Sequence, residues 1–277
     1  MKTFSVPFNC NLKDFTDSVY PQGSFAFSQL LRNKDIKVNG VRVNKNVPLK
    51  SGDTVIYYTS VKQEEKLSHR VVYEDENVLI ADKFSGVSSE ALLCELCQKG
   101  DFRLAHRLDR NTCGLITFAK NDAAEQALKV AFKERTVEKT YLCFCKNSFK
   151  KKHEFLTAFL KKDEKASLVK ISSEQNNGYV KIATEYQVLK SMGDYALVEV
   201  LLHTGKTHQI RAHTAFIGCP VLGDEKYGDE KLNAKYGAKR QCLVAKRLCF
   251  KNVDSLGALN GKTFESEFIP ELPKKNG

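Results

Sequence analysis

His106-Arg107-Leu108-Asp109-Arg110-Asn111-Thr112-Cys113-Gly114-Leu115 sets one aspartate between two arginines, then passes through a small-residue turn into the apolar segment 115–119. A cation within a few ångströms favours the charged form of a carboxyl group. The flanking arginines are planar forks suited to gripping phosphate. A reactive carboxylate inside a phosphate-binding rim suits an enzyme acting on RNA. The competing reading is an ordinary ion pair at a strand-to-turn junction, and a local motif alone does not separate the two.

Two further segments change the balance. One is His203-Thr204-Gly205-Lys206-Thr207-His208-Gln209-Ile210-Arg211-Ala212-His213, and the other is Gly218-Cys219-Pro220-Val221-Leu222-Gly223-Asp224. With the first stretch they resemble, in order and spacing, the signatures of the RluA-like family of pseudouridine synthases. In that family the catalytic segment reads His-Arg-Leu-Asp, two variable residues, then Thr-Ser-Gly-Leu; Cys113 stands here for the serine. The likeness extends over residues 71–268. Phe84 occupies a position where relatives usually carry proline, a change that bears on loop stiffness more than on chemistry.

The resemblance implies an enzyme that breaks the bond between ribose and uracil N1, turns the base, and rejoins it through C5. Asp109 matches the family's catalytic aspartate, as nucleophile or as base. Arg211 matches the arginine that pairs with it, and Tyr141 the tyrosine that stacks on the uracil. Arg107 corresponds to the arginine thought to fill the space of the extracted uridine, since the target bond is inaccessible inside a stack. Leu243 matches an apolar residue of the uracil pocket, followed by Val244 where relatives often have histidine. Lys206 is a further substrate contact. His106 and His208 belong to the same site, more as scaffolding than as acid–base groups.

Such a route needs no metal, nucleotide or redox agent, and the sequence has no Gly-rich phosphate loop, dinucleotide fingerprint or metal-binding cluster. A nuclease would need a second carboxylate, a metal site or a positioned histidine pair, and no segment matches one. The rival from another class is a catalytically silent RNA-binding or ribosome-assembly protein, which would have been free to lose Asp109. Structured RNA is the expected partner, 23S ribosomal RNA first and transfer RNA as the alternative. No cofactor and no second copy of the chain are expected, monomer being the default.

The 277 residues have room for one large and one small domain. Lysine and arginine number 44 against 33 acidic residues, a net charge of +11 that points to a polyanion. No apolar run approaches the ~20 residues that span a bilayer, and the first residues lack the apolar core of a secretory signal; the cytoplasm is the expected location. The nine cysteines include Cys94 and Cys97 as a lone CxxC and read as buried thiols of a reducing compartment.

Three units are expected: a small RNA-binding module over 1–60, a polar linker over 61–70, and a catalytic domain over 71–277. Residues 25–31 have helical spacing, and Asn39-Gly40 between alternating segments predicts a hairpin. Residues 31–58 resemble the back half of the alpha-L RNA-binding module, with Arg32, Lys34, Lys37 and Arg42 as candidate RNA contacts; its usual opening helix is not evident, and residues 14–21 stand in its place. Alternation over 71–73, 78–81, 137–145, 155–160, 169–172, 179–189 and 196–203 predicts strands joined by short turns, and Asn121 predicts the cap of a helix reaching Glu134. The fold class expected is α+β: a mixed, largely antiparallel β-sheet with few flanking helices behind a small α/β module.

Overall fold

The computed structural model describes residues 1–19, 23–59, 67–163 and 168–272, without the side chains of 17, 18 and 23–26. Most of the expected linker and the last residues of the tail lie outside the described residues.

The first fifth or so of the chain builds its own sheet and core. Strands β1 (Lys2–Ser5) and β2 (Cys10–Asn11) lead into helices α1 (Leu12–Val19) and α2 (Gly23–Asn33). Then come β3 (Ile36–Val38), β4 (Val41–Val43), β5 (Pro48–Leu49) and β6 (Thr54–Tyr57). The order is β1-β6-β3-β4, with β2 and β5 paired separately. Asn39 and Gly40 turn the β3–β4 hairpin at φ 49° and 82°, the two positive angles that a tight hairpin turn demands. Leu12, Phe15 and Leu30 from the helices bury against Ile36, Val55 and Tyr57.

The rest of the chain forms one large sheet. Its elements begin with β7 (His69–Glu74), β8 (Val78–Lys83), α3 (Ser89–Leu96), β9 (Arg103–Leu104), β10 (Cys113–Ala119) and α4 (Asp122–Lys133). They continue with β11 (Val137–Lys146), β12 (His153–Asp163), β13 (Leu168–Ser172), β14 (Val180–Met192) and β15 (Tyr195–Leu202). Helices α5 (Gln209–Phe216) and α6 (Glu230–Tyr236), strand β16 (Leu243–Phe250) and strand β17 (Thr263–Glu265) complete it. The strand order is β13-β12-β14-β15-β11-β16-β10-β8-β7, with β9 on β10 and β17 on β16. Every pairing is antiparallel except β10 with β16. The expected mixed, largely antiparallel sheet with few helices is what forms.

Local chemistry explains the boundaries. Asn121 caps α4 as expected, its side chain accepting from the Ala124 N–H at 2.8 Å. Strand β7 begins at His69, inside the segment expected to be linker. Helix α3 was not expected; Ser88 caps it through the Ala91 N–H at 3.1 Å, and its Leu92 and Leu96 bury in the main core. Four cysteines (Cys143, Cys145, Cys219 and Cys242) are buried as expected, but Cys94 and Cys97 are exposed. Helix α3 turns both outward while its leucines take the core face. Among the described residues no helix is long and apolar enough to cross a membrane.

Candidate active site

The loop between β9 and β10 carries Asp109, and the chain pins that loop from several sides. The Ser89 hydroxyl accepts from the Leu108 N–H at 2.9 Å and donates to the Leu108 carbonyl at 3.0 Å. Below it the fully buried Lys83 ammonium donates to the carbonyls of Val87 (2.7 Å), Phe84 (3.2 Å) and Arg110 (3.3 Å). Burial pushes the pKa of Lys83 down to about 8. Ser85 Oγ reaches the Asn111 carbonyl at 2.9 Å, and the Gly86 N–H reaches that of Arg110 at 2.9 Å. The loop then enters β10 through Gly114 at φ 109°, where a Cβ would lie 2.3 Å from the Ala245 carbonyl oxygen. Only glycine fits this close parallel approach of β10 to β16.

Asp109 lies at the wall of a cleft of about 1220 Å³. Facing it, α5 presents Arg211, nearly buried, whose Nη1 donates to Asp109 Oδ2 at 2.7 Å. The same guanidinium binds Asp224 with two prongs, Nε to Oδ2 at 2.6 Å and Nη2 to Oδ1 at 2.9 Å. Burial disfavours its charge, but Asp224 and then Asp109 outweigh that and raise the Arg211 pKa. Asp224 is itself buried, yet its pKa is lowered, because Arg211 and the backbone N–H groups of Lys226 and Tyr227 offset the burial. Gly223 makes the turn possible at φ 75°; a Cβ there would meet the Arg240 carbonyl oxygen at 1.9 Å.

Tyr141 lines the same cleft from β11, almost fully buried, with its pKa raised by burial and then by the nearby Asp109. His208 opens α5 in the left-handed region at φ 52°. The Tyr227 hydroxyl accepts from the Val169 N–H at 2.8 Å and shares a hydrogen bond with His208 Nδ1 at 2.9 Å. His208 Nε2 lies 4.0 Å from Asp109 Oδ2. Burial lowers the His208 pKa. His106 Nε2 accepts from the Thr117 N–H at 3.0 Å, and burial, then Lys139, depress its pKa to about 3. A neutral imidazole held this way by the backbone of β10 acts as scaffolding.

Arg107 reaches the cleft rim exposed, paired with Glu90 at 2.7 Å. Lys206 lines the cleft from an exposed loop, its N–H donating to Gln209 Oε1 at 3.1 Å. Leu243 is displaced from the expected pocket wall: it pairs with Cys143 and buries in the core cluster, and Gln241 lines the cleft instead, held on Thr112 Oγ1. Leu243 opens β16, whereas Gln241 lies in the segment just before the strand, outside its ladder. The structure thus brings Asp109, Tyr141, Arg211, Arg107, His106, Lys206 and His208 into one cleft, and leaves Arg32, Lys34, Lys37 and Arg42 outside it.

Asp224 and Tyr227 were not singled out from sequence. Asp224 closes a quoted motif, but its role depends on Arg211, thirteen residues away in sequence, and no local period signals that pairing. Cys113, with its pKa pushed up by burial to about 11, is an inert thiol behind the loop. Among the described residues no group of three or more histidine, cysteine, aspartate or glutamate side chains could hold a metal ion.

Comparison with known proteins places this geometry. Residues 88–216 match the family model described as RNA pseudouridylate synthase. The ribosomal large subunit pseudouridine synthase C of Rickettsia bellii (strain RML369-C) is 33% identical over 83% of this chain and 86% of its own. The protein of that name from Vibrio cholerae serotype O1 is 31% identical over 80% of this chain and 78% of its own. The human RNA pseudouridylate synthase domain containing 1 structure covers 66% of this chain and 78% of its own, at 26% identity and a TM-score of 0.56. Its domain containing 4 counterpart, at 21% identity and a TM-score of 0.59, shares the fold over 74% of this chain and 88% of its own. Sheet, cleft and relatives together define an isomerase acting on RNA. The chain belongs to the RluA-like family of RNA pseudouridine synthases.

Proposed function

We propose that this chain isomerises uridine to pseudouridine in the RNA of the large ribosomal subunit, 23S ribosomal RNA, with Asp109 as the reacting carboxylate. The observation that carries the assignment is the 2.7 Å contact from Arg211 to Asp109 at the wall of a cleft that Tyr141 also lines. Arg211 aims Asp109 at the sugar, whether the carboxylate attacks C1′ or takes a proton from C2′. Because Asp224 holds the guanidinium with two prongs, Arg211 arrives pre-positioned, and positioning of this kind lowers the barrier without moving parts. Tyr141 offers its ring face to the uracil, and Arg107 stands at the rim where an extracted base leaves a gap. The ribosomal target is taken from the names of the bacterial relatives, which cover most of this chain.

Carbodiimide mapping of pseudouridine across total RNA tests this reading. Cells lacking the protein are compared with cells rescued by wild type or by Asp109→Ala. The expected result is a 23S site lost on deletion and restored only by wild type. A site in transfer RNA would move the target, and rescue by Asp109→Ala would remove that residue from the mechanism.

The same reading makes residues 1–60 an alpha-L-type RNA-binding module joined through 61–70 to a catalytic domain over 71–277, in a cytoplasmic, monomeric enzyme. Lys37 and Arg42 lie 5.3 and 5.4 Å from the Tyr58 ring centroid and form with it a cationic platform. Arg42 is fastened to the Lys34 carbonyl at 2.7 Å and Arg32 to Gln29 at 3.2 Å. Replacing Lys37 and Arg42 with alanine is expected to weaken RNA binding in a filter assay, and unchanged affinity would reduce the module to a packing role.

A further inference from the structure

Lys139 stands two residues before Tyr141 on β11, and strand alternation puts both side chains on one face, about 7 Å apart along the strand. The register agrees: Lys139 pairs with Leu202 and Tyr141 with Val200 across the same antiparallel ladder. Both residues line the Asp109 cleft. The Lys139 side chain is half-buried, with its ammonium 5.5 Å from the Phe132 ring centroid. On the other side the loop after β15 closes against it, where a Cβ on Gly205 would lie 2.9 Å from Nζ. Gly205 does not have the positive φ that favours glycine; the space beside the ammonium is what it leaves open.

The charge of Lys139 is unanswered. Arg211 has two carboxylates and Lys83 three carbonyls, and Arg107 has Glu90. Among the described residues no carboxylate and no hydrogen-bond acceptor pairs with Lys139, and burial alone lowers its pKa. Withdrawing a cation from water without a counter-ion is costly. A strand that carries one into a cleft built for a polyanion is supplied with the counter-ion when substrate enters.

We propose that the Lys139 ammonium binds a backbone phosphate of the RNA next to the isomerised uridine, in a niche walled by Phe132 and Gly205. One nucleotide can touch both Tyr141 and Lys139, so this contact sets the register in which a uridine is offered to Asp109. Lys139 is thus a substrate-positioning residue, and the proposal rests on the reading of the Asp109 cleft as the reaction centre.

The test follows release of the C5 hydrogen, using total RNA labelled with 5-tritiated uridine in cells lacking the protein, so that no target need be assumed. For Lys139→Met the initial rate at low RNA is expected to fall about tenfold, with the rate at saturating RNA within about threefold of wild type. The plot of log rate at low RNA against log salt should become shallower by about 0.7 to 0.9, the share of one phosphate. Lys139→Arg should recover both. A salt slope equal to wild type would overturn the proposal whatever the loss of rate. If Lys139→Met has no cooperative melting transition, Gly205→Ala keeps the lysine and crowds its ammonium; lowered rate only at low RNA supports the niche, and wild-type kinetics overturn it. Asp109→Ala run in parallel separates the two readings, because tritium release by that variant would sink the reaction centre itself.

Discussion

At the scale of single residues the site depends on a relay of charge, Asp224 to Arg211 to Asp109. Asp224 touches no solvent and is placed to act only through Arg211. Replacing it with asparagine keeps the shape but removes the charge that the buried guanidinium answers, and breaking a buried pair in this way costs ~3–5 kcal/mol. Asp224→Asn is therefore expected to lower the melting temperature and to cut kcat more than it raises KM, since Arg211 loses its aim. Equal stability and kcat in thermal melts and tritium-release kinetics would show that Arg211 positions itself. Asp109, Arg211 and Tyr141 were expected to share one site because each matches a position of the family the sequence resembles. Asp224 and Lys139 were not: one needed its partner on α5, and the other looked like an ordinary polar residue of an alternating strand.

At the scale of elements, a close approach of two backbones fixes the loop that carries Asp109. Gly114 lets β10 run parallel to β16 with Ala245 pressed against its α-carbon. Gly114→Ala would force the two backbones apart and is expected to destabilise by more than the ~1 kcal/mol of a simple glycine replacement. The urea midpoint should fall and activity with it, whereas a midpoint within error of wild type would mean that β10 can shift without loss. The strands and the capped helix α4 were readable because alternation and capping are local signals. Helix α3 escaped because its Leu92, Leu93 and Leu96 form a short apolar run that fits strand or helix, and contact with the main core decides between them. Leu243 escaped for a related reason: which way a strand residue faces depends on register with β11 and β10, and sequence spacing does not carry register.

At the scale of the whole molecule, buried imidazoles make stability depend on acid. Burial depresses His213 to about 4, and burial with the nearby Lys139 depresses His106 to about 3. Unfolded histidine titrates near 6.5. Between about 6.5 and 4 the unfolded chain therefore binds protons that the folded chain refuses, so stability falls as pH drops through that window. Each such group contributes up to about 1.4 kcal/mol per pH unit. The urea midpoint is expected to fall from pH 7 to pH 4.5, and His213→Gln, which loses the contact to Thr184 at 3.0 Å, should reduce that dependence. A slope unchanged by the substitution would assign the acid sensitivity to carboxylates instead.

The order of the sheet also bears on how the molecule is made. Strand β16 follows β7 to β15 in the chain, yet it lies in the middle, with β11 on one side and β10 on the other. Until residue 250 has left the ribosome, the chain holds two half-sheets with open facing edges, one bearing Asp109 and the other Tyr141 and Arg211. The halves then lack the strand that ties them in register, and open edges of this kind are where chains join to the wrong partner. Asp109 and Tyr141 are therefore expected to reach working distance together only once the central strand is zipped in.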